Sequence, residues 1–408
     1  MKINSSYLGL YLFSAIIYMI APFWGMLLSL FIIGTYPLSN KGVLWFSFLI
    51  AMFWGLLAYT QNCKYLVTDS IRYYEMFSGI INQVNSFQDL VILLREELLT
   101  FIFIPLTTAI VYLTKNVQII SLFWVTISYY FFFISVLRIL KHEKIYNQKI
   151  YVKYLIVMIF CVMLFVQISE TIKNAAAFSI AFYGLTHYYT TNNLRKSVLW
   201  MIVAIGIHPS TFIFLILFFY KTFKTNYLLL ITFLFFPIAI KVNIFGLLGG
   251  GLTGMDGYLG AMSDLASSYA SSEGTSTRYL IISFSTFLFT FFLYRNDKYN
   301  NNSSLYNMIL LYFLISSLNA SNIHSYVRFV NFIHPFVFLA FVANQKNKNK
   351  YSNVFVFVYG LFFAFFTIRL TFARMFGGEY LSTYMGNSFI DIMFSNILTY
   401  LSYPVFSL

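Results

Sequence analysis

Apolar runs of about 17 to 25 residues follow one another along almost the whole chain, each long enough to cross a bilayer as a helix. They predict spans at Tyr7–Ile33, Val43–Tyr59, Leu98–Leu113, Ile119–Leu137, Val152–Val166, Ala175–Tyr189, Tyr227–Phe245, Tyr279–Leu293, Leu305–Leu318, Phe329–Ala343 and Val354–Leu370. Val198–Tyr220 is long enough for another, but "IGIHPSTF" interrupts its middle. Proline removes a backbone donor and disfavours a helical residue before it, so a break at His208–Pro209 is expected. The pattern predicts an all-α, polytopic integral membrane protein of about 11 to 13 transmembrane helices, including a broken hairpin near His208.

Composition narrows the class further. Of 408 residues, 60% are hydrophobic and 10% are charged, against about 25% charged in a soluble domain. A soluble globule is excluded, and residues 1–408 read as a single membrane domain whose first apolar run is an uncleaved span. The two cysteines, Cys63 and Cys161, make no disulfide framework.

Charge orients the spans. The chain carries 26 Lys+Arg against 13 Asp+Glu, a net charge of +13. No aromatic-basic RNA motif or zinc spacing accompanies it, so no nucleic-acid partner is expected. Cytoplasmic loops of membrane proteins collect Lys and Arg. "RILKHEKIYNQKIYVK", "NNLRKS", "KTFK", "RNDK" and "NQKNKNK" are the basic loops. For the second and third to share a side, Val198–Tyr220 must enter and leave on that side, with His208 near the tip. Alternation puts Ser169–Lys173, the Gly/Ser-rich loop at 246–277 and Asn319–Tyr326 on the extracytoplasmic side. The count fails at Asp69: counting back from Arg138 through two spans places it on the basic side. If Asp69 lies outside, one segment between Phe77 and Leu137 is re-entrant or mispredicted.

Ionisable groups at membrane depth are costly, so each is a candidate for function. Those singled out are Asp69, Arg72, Glu170, Lys173, His208, Arg278, His324, Arg328 and His334. In "YLVTDSIRYYEMF", Asp69, Arg72 and Tyr73 fall at i, i+3 and i+4, one face of a helix. They read as an intrahelical surface pair or as part of a site. Glu170 and Lys173, at i, i+3, read as helix-end chemistry or as a site. His208, beside a helix break in an apolar stretch, stands where membrane enzymes and transporters place reactive groups. Arg278 and Arg328 each open a span after a predicted outer loop, where topology does not account for a cation. A guanidinium grips two phosphate oxygens at once, so this pair suits a lipid-linked phosphate or pyrophosphate, with interfacial snorkelling as the plain alternative. "GLLGGGLTGMDG" lacks the GK[ST] of a phosphate-binding loop, and neither HExxH nor a pair of CxxC motifs occurs. Asp256, Asp264 and Glu273 do not have calcium-loop spacing. No metal or cofactor is expected.

The order of four short motifs carries a resemblance. An early D-x-x-x-Y (Asp69, Tyr73), a basic residue opening an alanine-rich span in "IKNAAAFSIAF", a mid-hairpin H-P-S and a late R-F-x-x-[FY] (Arg328 to Phe332) occur in that sequence. The order resembles the EpsG-like branch of the Wzy-type bacterial polysaccharide polymerases, over Asp69 to about Phe332. The resemblance points to Asp69, Tyr73, Lys173, His208, Ser210 and Arg328, although the family more often has Arg where this chain has Lys173. It implies a membrane glycosyltransferase of the bacterial cytoplasmic (inner) membrane. Such enzymes move a growing O-antigen-type or capsular glycan from undecaprenyl pyrophosphate onto the next lipid-linked repeat unit, and a chain-length regulator protein is an expected partner. That reaction needs a cation for the leaving pyrophosphate, a base for the acceptor hydroxyl and a polar platform for sugars. Asp69 and His208 are the catalytic candidates. Arg72, Tyr73, Glu170, Lys173, Ser210, Arg278, His324 and Arg328 are the substrate-binding ones. Two other classes stand beside this reading. A lipid-linked oligosaccharide flippase would carry internal repeats with discontinuous helices in both halves. A GT-C-type glycosyltransferase would use a single sugar on a lipid carrier, and "TDSIRYYEM" is similar to the early acidic-aromatic motif of those enzymes.

Overall fold

The computed structural model describes residues 5–62, 69–83, 100–145, 165–242, 277–297, 303–321, most of 323–343, 383–385 and 388–403. The expected spans Val152–Val166 and Val354–Leu370 fall almost wholly outside these residues, as do most of the 246–277 loop, Cys63, Cys161 and His334.

The protein is an all-α membrane protein. Its helices are α1 (Ser5–Ile20), α2 (Pro22–Thr35), α3 (Asn40–Tyr59), α4 (Asp69–Gln83), α5 (Phe103–Thr114), α6 (Ile119–His142), α7 (Phe165–Glu170), α8 (Ile172–Thr191) and α9 (Leu194–Ile207). A 3-10 helix (Pro209–Lys221), α10 (Thr225–Lys241), α11 (Thr277–Asn296), α12 (Ser303–Ser317), α13 (Ile323–Asn331), α14 (Phe389–Phe394) and α15 (Ile397–Leu401) follow. The only pairing of extended chain among the described residues is antiparallel, β1 (Gln61–Asn62) with β2 (Thr383–Tyr384), Gln61 opposite Tyr384.

α3 has 20 residues and α6 has 24. At about 1.5 Å per residue they reach roughly 30 and 36 Å, enough to cross the hydrocarbon core. Ser39 starts α3 by accepting the Gly42 N–H at 3.2 Å on its side chain. The two helices meet at Gly55, where an added Cβ would collide with Thr126 Oγ1 and sit 2.6 Å from the Leu122 carbonyl oxygen. A side chain there would force them apart, so close backbone approach is what the glycine supplies.

Polar contacts define two faces. On one, Lys141 Nζ meets Asn40 Oδ1 at 3.1 Å, Tyr189 donates to Glu143 at 2.6 Å, and Tyr294 donates to Asn226 at 3.0 Å. Lys221 Nζ donates to Asn192 Oδ1 at 2.9 Å, so the chain leaves the 3-10 helix where it entered α9. That closes the expected hairpin, with His208 at its tip. Lys141, Arg195, Lys196, Lys221 and Lys224 cluster at this basic face. On the opposite face Asn116 donates to the Tyr59 hydroxyl at 2.6 Å, Tyr59 donates to the Leu401 carbonyl at 3.2 Å, and Ser169 meets Tyr384 at 2.6 Å.

Two expected spans are corrected. Tyr7–Ile33 is not one span but two helices folded back on each other at Ala21, with Pro22 in the first turn of α2 and Gly25 packed against Tyr18. Leu98–Leu113 is not a full crossing either. α5 has only 12 residues; it begins at Phe103 beside Trp124, inside α6, and ends near Asn116 on the face of Tyr59. α3 thus ends at Tyr59 and α6 begins after Asn116 on the same face, the arrangement expected if the segment between them is re-entrant.

Candidate functional site

The opening residues of α4 face the end of α13, from which they are separated by more than half the chain. Asp69 is the first residue of α4, where a carboxylate complements the positive end of the helix dipole. Its Oδ1 lies 3.8 Å from Arg72 Nη1. Its Oδ2 accepts a hydrogen bond from Arg328 Nη2 at 3.1 Å. The two pairs differ in surroundings: the Arg72 side chain is 66% exposed, Arg328 25% and Asp69 20%. Arg72 therefore makes a loose surface pair, whereas Arg328 makes a directional one in a half-buried setting.

Aromatic packing fixes Arg328. Phe329, its neighbour, lies against Phe178 of α8 (5.4 Å between ring centroids) and Phe214 of the 3-10 helix (5.8 Å). The Tyr312 hydroxyl donates to the Phe329 carbonyl at 2.8 Å, and Tyr326 donates to Ser283 at 2.7 Å. α13 is thereby clamped between α8, α11, α12 and the 3-10 helix.

His208 sits at the hairpin tip, 8% exposed and in extended backbone. Its Nδ1 accepts the Ser210 backbone N–H at 3.2 Å and lies 2.7 Å from Ser210 Oγ. A backbone N–H can only donate, so Nδ1 is the acceptor, and in the neutral ring the proton sits on Nε2. His208 thus caps the 3-10 helix with one nitrogen and offers a donor with the other. Lys173 and Arg328 both lie close enough for their charges to act on the ring.

Lys173 lies in the first turn of α8, at the positive end of the dipole, where a cation gains nothing from its own helix. Its ammonium stands 5.3 Å from the Phe103 ring. Phe103 also stacks on Trp124 (5.0 Å), meets Tyr73 (5.1 Å) and touches Phe77 (6.3 Å). Phe103 is thus the hub between α4, α6 and α8. Glu170 ends α7, and Thr171 separates it from α8, so Glu170 and Lys173 flank a helix break rather than share a helix.

Asp69, Arg72, Tyr73, Lys173, His208, Ser210 and Arg328 therefore gather on the face opposite the basic loops, and Glu170 lies at the break beside Lys173. Arg278 falls in the first turn of α11 and His324 in the first turn of α13, but their side chains lie outside the described residues. Among the described residues no group of three or more His, Cys, Asp or Glu is placed to hold a metal ion. Sequence reading missed Phe103 and the Phe178–Phe214–Phe329 clamp. With 49 phenylalanines in the chain, none stands out by type. Pro105, inside the Leu98–Leu113 apolar run, was the available sign of a helix start within it. Chemically, the cluster offers two guanidinium groups, an ammonium and an Nε2–H donor beside the Asp69 carboxylate, with Glu170 at its edge, an arrangement suited to an anion beside a proton acceptor.

A model of the EpsG family matches residues 43–385, which include every residue of this cluster. No curated protein and no solved structure matches the chain.

Proposed function

The chain belongs to the EpsG family, and from that membership and the Asp69–Arg328–Lys173–His208 cluster we propose that it polymerises surface-polysaccharide repeat units. The donor is a growing glycan on undecaprenyl pyrophosphate and the acceptor is a lipid-linked repeat unit. The site face is the outer face of a bacterial cytoplasmic membrane, crossed several times by the chain, and the basic face is cytoplasmic.

Each residue has a chemical part in this reading. The acceptor hydroxyl attacks the anomeric carbon of the donor and gives its proton to Asp69. The new glycosidic C–O bond forms as the C–O bond to pyrophosphate breaks, and pyrophosphate leaves with the electron pair. Arg328, Lys173 and the His208 Nε2–H hold the charge that grows on the leaving oxygens. His208 is then a donor rather than the base, because its Nδ1 is engaged by Ser210. Arg72, more exposed at the rim, meets incoming anionic substrate, and Tyr73 on Phe103 forms part of a platform for a sugar ring.

The single observation that carries the proposal is the meeting of Asp69 with Arg328, with Lys173 and His208 beside them, on the face away from the basic loops. Deleting the gene and resolving surface glycan on a gel tests it. Anchors bearing one repeat unit are expected. Loss of all surface glycan, reversed by a flippase, would instead make the chain an exporter.

A further inference from the structure

Arg328 and Asp69 have been given two tasks that need the same atoms. Arg328 must present its guanidinium edge to phosphate oxygens, and Asp69 must present a carboxylate oxygen to the acceptor hydroxyl. Yet Arg328 Nη2 is spent on Asp69 Oδ2 at 3.1 Å. We propose that this pair is a latch released by the donor: pyrophosphate competes with Asp69 for Arg328, and only then is Asp69 free to take the acceptor's proton. The inference rests on the functional reading above and adds to it an order of events, donor binding before acceptor activation.

Several features favour exchange over a fixed structural tie. The pair is half-buried rather than sealed, with side chains 25% and 20% exposed, so an anion can reach it. A phosphate offers Arg328 the same paired-oxygen geometry as a carboxylate with more charge, so the exchange keeps the fork satisfied. Lys173 stands close enough to His208 for both its charge and that of Arg328 to act on the ring, so two cations flank the place where a phosphate would enter. Arg72, 3.8 Å from Asp69 Oδ1, leaves a cation near the carboxylate once Arg328 has turned. α13 need not move for this, since the Phe329 clamp and Tyr326 hold its backbone while the long Arg328 side chain swings. With Arg328 on Asp69, an acceptor or a water that enters first meets a carboxylate one of whose oxygens is already engaged.

The latch predicts an effect of opposite sign to that of an ordinary binding residue. A competent state that is populated only in part weakens apparent affinity by that fraction, and removing the competitor restores it. Farnesyl pyrophosphate titrated into the full-length protein in lipid nanodiscs is the probe. Asp69→Asn is expected to bind it about tenfold more tightly than wild type while losing turnover, for a latch closed about ten to one. Asp69→Ala, which removes the same carboxylate by another route, should change affinity in the same direction. Adding Arg328→Gln to either should abolish the gain. Equal or weaker binding by both Asp69 variants, with wild type still binding, overturns the latch and leaves the proposed function standing. Absence of binding by wild type and all variants overturns both.

Discussion

Replacing Arg328 by lysine keeps the positive charge and removes the fork. In the structure the guanidinium reaches Asp69 Oδ2 at 3.1 Å from a backbone fixed by the Phe329 ring contacts and the Tyr312 hydroxyl. A lysine on that backbone brings one compact ammonium where two parallel N–H groups stood, so one charge-assisted contact to a phosphate is lost. Such a contact is worth about 1.5 to 3 kcal/mol, or one to two decades in rate at about 1.4 kcal/mol per decade. Arg328→Lys should therefore lower kcat/KM by about 10- to 100-fold in a reconstituted assay with lipid-linked repeat units, with short chains replacing long ones. Thermal stability separates this from a structural effect. Lysine can still pair with Asp69, and a partly exposed pair contributes at most about 1 kcal/mol, so unfolding should shift by only a few degrees. Arg195→Lys, exposed on the basic face, is the control and should match wild type. Full activity of Arg328→Lys would refute the bidentate role and leave Arg328 as a tie between α13 and α4.

Four further outcomes are expected. Asp69→Asn should abolish long chains in cells at unchanged protein level; normal chain length would return the first turn of α4 to a plain surface pair. Ser210→Ala removes the 2.7 Å hydroxyl contact but keeps the backbone N–H on Nδ1, so its loss of activity should stay below about tenfold, whereas His208→Phe should lose about a hundredfold or more; equal losses would contradict the Nε2 assignment. In a background lacking Cys63 and Cys161, an impermeant thiol reagent should label Thr114→Cys and Ser321→Cys in intact cells, but Thr191→Cys only after lysis; the reverse pattern inverts the topology. Gly55→Val should destabilise the detergent-solubilised protein by about 1 to 3 kcal/mol through overpacking against Thr126 and Leu122, while Gly79→Ala, with open space around it, should be neutral or mildly stabilising.

How much of this was legible without coordinates depends on which physical rule dominated locally. Val43–Tyr59, Ile119–Leu137 and Ala175–Tyr189 were readable because long apolar runs with polar flanks admit few alternatives, and α3, α6 and α8 follow them closely. Tyr7–Ile33 was misread because apolar length outweighed one proline, although Pro22 in the first turn of a helix is itself a start signal. Leu98–Leu113 differs because hydropathy measures apolarity, not helix length, and a 12-residue helix packed on protein is as apolar as a full span. The charged members of the site stood out because an ion in an apolar context is costly and therefore rare. Their pairing did not: nothing in the spacing of Asp69 and Arg328 announces a 3.1 Å contact, which depends on α13 being clamped by aromatic rings that look like any others.

The two interrupted segments explain each other. A helix that breaks at membrane depth leaves backbone groups without partners, and in the bilayer only protein can supply them. Pro209 has no N–H to give the Ile205 carbonyl, and the Ser210 N–H, which a continuing α-helix would give to Gly206, is taken by His208 Nδ1. The Gly206 carbonyl instead accepts the Ile102 N–H at 2.9 Å, from the residue just before α5. The start of α5, which needs its own first N–H groups satisfied, thus answers the tip of the hairpin. Gly206 leaves room for the Phe101 ring, which a Cβ there would meet at 2.6 Å and push aside. The same meeting fixes Phe103, one residue on, between Tyr73 and Lys173. Thirteen residues of 3-10 helix at about 2.0 Å per residue cover roughly 26 Å, against about 20 Å as α-helix. The longer return leg lets a short segment run from a deep tip back to Asn192 at the basic face. The site is therefore built at the junction of two chain breaks, each of which would be unstable in lipid without the other.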